Sequence, residues 1–182
     1  MKKETTRFIL FVMLLTLPIN HLFSQTNNDT TGSIISLSNA KKILNHHNDV
    51  RKEIGVGKII WNKQLARYAQ QWANYLADSN HCQLKHRVAP GENGKDYGEN
   101  IFWGSDKSIS PMEASLSWYS EKKDYKYQKV DNKNYLKTGH YTQMIWKNTK
   151  EMGVGVAVCP NGGMIVVANY YPAGNYIGEY PY

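Results

Sequence analysis

The apolar residues change period once along this chain, and that change restricts the fold more than any other feature. Over residues 38–77 they recur at three- and four-residue spacing, whereas residues 153–159 and 164–171 form runs rich in valine and isoleucine. Pro160-Asn161-Gly162-Gly163 lies between those runs, the signature of a hairpin closed on an Asn-Gly turn. Helices early and in the middle, with strands late, predict an α/β protein with helices on the sheet faces.

The first helix is expected from Ser38 to Gly55, with Ala40, Ile43, Leu44 and Val50 on one stripe. His47 falls on that stripe and Arg51 lies one turn further. A second helix runs over residues 62–77, with Leu65, Ala69, Trp72, Ala73 and Leu76 on one face. The third opens on Ser110-Pro111-Met112-Glu113, which reads as a capping box with proline at the first helical position. Ala114, Trp118, Glu121 and Tyr125 then follow at helical spacing, so a carboxylate shares a stripe with a tryptophan. Titratable groups on apolar stripes must find partners or lose their charge, which singles out His47 and Glu121. The segments 97–101 and 139–146 add Glu99 and His140, expected on shorter, loop-like elements.

The amino terminus bears on the compartment. Lys2, Lys3 and Arg7 precede an apolar run over residues 8–17, then Pro18 and a polar stretch ending at Ser24. This order is that of a secretory signal peptide, cleaved after Ser24 to leave Gln25 first. The run is too short for a membrane span, which needs ~20 apolar residues. Cleavage removes three of the 22 basic and one of the 15 acidic side chains, so the formal charge falls from +7 to +5. Residues 25–37 read as a flexible lead-in and residues 38–182 as one domain. A modest positive charge is compatible with anionic lipid, acidic glycan or nucleic acid, and export makes nucleic acid the poorest fit. Lysines 122, 123, 126, 129, 133 and 137 crowd one segment with only Asp124 and Asp131 between them. That segment reads as a solvated connection, compatible with peripheral contact with anionic membranes.

Cys82 and Cys159 are the only cysteines. An even count in an exported chain predicts a disulfide rather than a catalytic thiol. In the chain-entropy account a loop this long contributes up to about 4.5 kcal/mol.

Five segments together resemble the CAP superfamily of cysteine-rich secretory proteins, antigen 5 and pathogenesis-related class 1 proteins. His47-Asn48-Asp49-Val50-Arg51 is similar to HNxxR, Gly98-Glu99-Asn100-Ile101 to GENL, and Trp118-Tyr119-Ser120-Glu121 to WYxE. Residues 139–146 resemble the GHYTQ…W signature and residues 169–175 the closing NYxPxGN signature. Residues 146–155 look closest to the Golgi-associated branch. The resemblance implies a three-layer α–β–α sandwich with a central, mostly antiparallel sheet and a large cleft. Carried over residue by residue, it places His47, Glu99, Glu121 and His140 in that cleft. Gly91-Glu92-Asn93 is a second triplet of the same kind, but Gly94 follows where the family has an apolar residue, which favours Glu99 over Glu92. The cysteines match two family positions that pair, while a second family pair would fall at Val154 and Ala168.

Two imidazoles and two carboxylates around one open space suit a first-row metal. His47 and His140 are the expected ligands, with Zn2+ held at modest affinity. Two functions follow. The first is a secreted or periplasmic binding module for a lipid, sterol, glycan or peptide. The alternative is a metal-assisted hydrolase with Glu99 or Glu121 as base. The sequence lacks His-Glu-x-x-His and a recognisable Ser or Cys nucleophile, which favours binding.

Overall fold

The computed structural model describes residues 30–88 and 96–182. The signal-peptide segment and the Gly91-Glu92-Asn93 triplet lie outside the described residues. The chain forms α1 (Leu37–Glu53), β1 (Ile60–Trp61), α2 (Lys63–Asp78), β2 (Gly98–Gly104), α3 (Met112–Ser120), a 3-10 turn (Glu121–Asp124), α4 (Asn132–Ile145), β3 (Glu151–Val158) and β4 (Met164–Tyr171). The four strands stand in the order β1-β3-β4-β2. β1 runs parallel to β3; the β3–β4 and β4–β2 pairs are antiparallel. The α/β sandwich and its mostly antiparallel sheet agree with the sequence reading.

β4 shows why three layers form. Val166, Ala168 and Tyr170 join the core beneath α1, α3 and α4, whereas Ile165 and Val167 join the core beneath α2. Alternation along a strand thus buries both faces. α2 lies so close to β3 that a Cβ at Gly153 would strike the backbone of Leu65 and Ala66, and one at Gly155 that of Ala69 and Gln70. Only glycine permits that approach.

Local signals set most helix starts. Ser36 caps α1 by accepting the Asn39 N–H at 3.2 Å, two residues before the expected start. Asn62 caps α2 through the N–H groups of Gln64 and Leu65. The capping box expected at Ser110 does not form: Pro111 occupies the cap position of α3 without a side-chain bond. Ser110 instead accepts the N–H of Met112 through Oγ and that of Glu113 through its carbonyl. α3 ends at Ser120, so Glu121 belongs to the 3-10 turn and not to the Trp118 stripe.

Two expectations need correcting. Residues 30–37 are not a flexible lead-in. Thr31, Ser33 and Ile35 are buried, Ser33 Oγ donates to the Val154 carbonyl at 2.7 Å, and Trp61 Nε1 donates to the Thr31 carbonyl at 2.8 Å. The short polar side chains of Thr31 and Ser33 gave no periodic signal, but each hydroxyl bonds backbone and so tolerates burial. The second correction is α4, which occupies residues read as a connection followed by a loop-like element. Asp131 caps it in a reciprocal box with Asn134. Its middle, Thr138-Gly139-His140-Tyr141-Thr142, has poor intrinsic helix propensity. Burial of Thr138, Gly139 and residues 141–145 holds it instead.

The Cys82–Cys159 disulfide is present, with Cα atoms 6.0 Å apart across a separation of 77 residues. It fastens the turn after α2 to the end of β3.

Candidate functional site

The HNxxR segment builds the core rather than the cleft. His47 is fully buried. Its Nδ1–H donates to the Ile43 carbonyl at 2.9 Å, and its Nε2 accepts from the Tyr170 hydroxyl at 2.9 Å. Ser115 Oγ lies 3.2 Å from Nδ1. Burial drives its pKa down to about 3, so it stays neutral. With both ring nitrogens engaged and no exposure, His47 neither lines the cleft nor is free to ligate a metal, contrary to the sequence reading. Its helical stripe marked burial, and burial here is satisfied by neighbours. Asn48 pairs with both backbone groups of Ile59. Arg51, also fully buried, donates to the carbonyls of Gly57, Met144, Trp146 and Thr149 at 2.6, 3.0, 2.9 and 3.1 Å.

The open groups form two histidine–carboxylate pairs. In the first, Glu99 at the start of β2 accepts from His86 Nδ1 at 2.9 Å and from the Arg87 N–H at 3.0 Å. Glu99 is 8% exposed and His86 54%. In the second, Glu121 takes His140 Nδ1 at 2.6 Å with one oxygen. Its other oxygen accepts the N–H groups of His140 and Tyr141 at 3.0 and 3.1 Å. Glu121 reaches them from the first position of the 3-10 turn. Each carboxylate fixes an Nδ1–H tautomer, leaving Nε2 of His86 and of His140 without a hydrogen bond among the described residues.

His86, Glu99 and His140 line one cavity of about 150 Å3 with Asn100, Tyr135, Leu136 and Gly139. His86, Glu99 and Tyr135 also line a larger adjoining chamber of about 390 Å3. The structure therefore brings together Glu99 and His140 at the cavity, with Glu121 behind His140, and adds His86 in place of His47. Tyr135 stands by both carboxylates: burial and the charges of Glu99 and Glu121 raise its pKa, keeping its hydroxyl protonated. Packing explains two of the surrounding glycines. A Cβ at Gly98 would meet the Gln143 side chain, and one at Gly139 the Tyr135 ring.

The sequence reading missed His86, Arg87, Asn100 and Tyr135. His86 sits on an exposed loop without periodicity; its one signal is its place four residues after Cys82, which the disulfide anchors.

The donor set fits a divalent metal in part. Two Nε2 atoms backed by carboxylates are suitable ligands, but no cluster of three or more His, Cys, Asp or Glu side chains arranged to hold a metal occurs among the described residues.

This sandwich, with two histidine–carboxylate pairs beside one cleft, defines a class to which comparisons assign the chain directly. The model of CAP, the cysteine-rich secretory protein family, matches residues 44–170, and the chain belongs to that family. It is 37% identical over 176 residues to the pathogenesis-related protein PR-1 of Medicago truncatula, covering 96% of both chains. It is 41% identical over 138 residues to the Golgi-associated plant pathogenesis-related protein 1 of Homo sapiens, covering 76% of this chain and 85% of that one. Among solved structures, that of NaASP2 with Zn2+ superimposes with a TM-score of 0.70 at 26% identity, covering 81% of this chain and 86% of that one.

Proposed function

We propose that this CAP protein is an exported binding module whose cleft takes a lipid, sterol, glycan or peptide ligand. The signal pattern of residues 1–24 supports export, as does a disulfide, a bond that persists in oxidising compartments. The observation that carries the binding reading is the composition of the cleft. Among the described residues, neither adjoining chamber is lined by a serine, threonine or cysteine, the side chains that most often serve as acyl-transfer nucleophiles. Both carboxylates orient histidines, Glu99 through one oxygen and Glu121 through one oxygen with its other on backbone N–H groups.

His86 and His140 would hold a divalent metal through Nε2, with solvent or ligand filling the remaining positions and affinity modest. The similarity to NaASP2, solved with Zn2+, supports zinc. A bound metal would supply Lewis acidity and a Zn-bound water to the hydrolase alternative; Glu99 would then be the base.

Native mass spectrometry of protein purified from its own host tests the reading. A retained non-covalent ligand, lost on denaturation, is the expected result. Turnover of a peptide substrate that vanishes in Glu99→Gln would overturn it in favour of hydrolysis.

A further inference from the structure

The larger chamber has a wall that the histidine pairs do not use. Arg87 lines it and forms no ion pair with a carboxylate among the described residues. Its guanidinium is nevertheless fixed. It lies 3.8 Å from the Tyr68 ring centroid and 5.7 Å from that of Trp72, and one Nη donates to the Tyr68 carbonyl at 3.2 Å. Guanidinium has five N–H donors, so most remain uncommitted. An arginine waving in solvent carries no message. One immobilised by stacking in the wall of a concavity has already lost the side-chain freedom that binding an anion would cost.

The neighbouring groups share its polarity. Asn132, the first residue of α4, lines the same chamber, and its side chain makes no hydrogen bond among the described residues; nor does the Tyr135 hydroxyl. Glu99, the one carboxylate in the wall among the described residues, is already met by His86 Nδ1, the Arg87 N–H and, at 3.4 Å, Asn169 Nδ2. Among the described residues the chamber thus offers a fixed cation and uncommitted donors, and its one carboxylate already accepts hydrogen bonds. Arg87 sets a fixed positive charge against the negative field that Glu99 and Glu121 impose at Tyr135, and leaves N–H donors for the oxygens of an anion.

We propose that the larger chamber is an oxyanion site in which Arg87 receives a carboxylate, phosphate or sulfate group of the ligand, with Asn132 and Tyr135 completing its hydrogen bonds. The site adjoins the two-histidine cavity, sharing the wall of His86, Glu99 and Tyr135. It rests on the cleft being the binding surface and needs no metal. It also narrows the ligand: an acidic amphiphile, acidic glycan or acidic peptide fits, and a neutral sterol leaves Arg87 unused.

Metal-free mature protein titrated with inorganic phosphate at low ionic strength, followed by NMR, tests this. Saturable shifts at Arg87, Asn132 and Tyr135 are expected. Arg87→Gln should weaken the apparent affinity about tenfold or more, the worth of one charge-assisted bond. Asn132→Ala should weaken it a few-fold. Joint replacement of Lys126, Lys133 and Lys137, which line a separate groove, by glutamine should leave it within about twofold. If Arg87→Gln shifts the thermal midpoint, Arg87→Lys, which keeps charge without the planar fork, should still weaken binding. Repeating the titration with acetate and with sulfate shows which acid group the site prefers. Shifts that never saturate, that persist in Arg87→Gln, or that fall equally in the lysine variant would overturn the proposal. His140→Ala should weaken zinc binding at least tenfold and spare phosphate. Loss of the phosphate result while native mass spectrometry still shows a retained ligand removes the oxyanion site alone, whereas loss of both removes the cleft reading with it.

Discussion

Trp118 stands between His47 and His140. Its ring centroid is 6.3 Å from each imidazole, edge-on to His47 at 77° and nearly parallel to His140 at 26°. One tryptophan of α3 therefore separates a histidine that serves the core from one that serves the cleft. The two imidazoles differ in everything that decides chemistry. His47 has both nitrogens bonded to buried partners, whereas His140 is 36% exposed with Nε2 open.

Burial of His47 makes stability depend on pH. Its folded-state pKa of about 3 lies below the unfolded value of 6.5, so between these the unfolded chain binds a proton that the folded chain refuses. The contribution is complete above pH 6.5 and is lost as pH falls toward 3. Its slope reaches about 1.4 kcal/mol per pH unit, or about 2 kcal/mol between pH 7 and pH 5. Urea unfolding at pH 7 and pH 5 should show this loss, and His47→Gln should show less of it. Should that variant fail to fold, an NMR titration of the parent replaces it. A His47 imidazole that protonates near pH 6 would refute the assignment.

Arg51 ties the end of α1 to the chain around the end of α4. Four backbone carbonyls accept from it, of which only that of Trp146 also takes a backbone N–H, from Thr149, and no carboxylate ion-pairs with it among the described residues. Burial lowers its pKa to about 10, leaving it charged at neutral pH. Arg51→Met fills most of the volume but strands those acceptors, and should cost about 3 kcal/mol or more. Chemical denaturation measures it. A loss below about 1 kcal/mol would mean that water reaches the carbonyls.

The same residues show what could be read in the sequence. α1, α2 and the β3–β4 hairpin were legible because their periodicity matches their burial. α4 was not: its central residues form a helix only because the core it shares with α1 and α3 takes up its buried side, and propensity carries no trace of that demand. The pair of His140 with Glu121 was reachable through motif resemblance. His86 was not singled out, since its role depends on the Cys82–Cys159 link and on β2 lying alongside, both products of tertiary structure. His47 misled for the opposite reason. A polar residue on an apolar stripe signals a partner but does not say whether that partner is a ligand or the protein itself.

The disulfide should matter to stability more than to architecture. It closes a separation of 77 residues between two elements already joined by sheet and helix packing. Joint replacement of Cys82 and Cys159 by serine should cost about 2–4 kcal/mol in urea unfolding. The circular dichroism spectrum should stay that of the parent. An unchanged midpoint would show that the unfolded chain is already compact enough to make the link redundant.

The metal site distinguishes the geometry found here from the one read in the sequence. Zinc should bind the mature protein through His86 and His140, each presenting Nε2 because a carboxylate holds its Nδ1–H. His86→Ala and His140→Ala should each weaken zinc binding at least tenfold in calorimetric titration at neutral pH. Glu99→Gln and Glu121→Gln should weaken it less, since an amide oxygen still accepts the Nδ1–H but no longer raises the basicity of the ring. His47 supplies the control. A stable variant there, His47→Gln or a conservative alternative, should bind zinc as the parent does, because Trp118 and the buried bonds to Ile43 and Tyr170 keep that ring away from the cavity. Because ligating imidazoles must be neutral, affinity should also fade on acidification. Zinc binding that survives in both His86→Ala and His140→Ala would place the metal elsewhere. In that case the two pairs are cleft-shaping hydrogen bonds and nothing more.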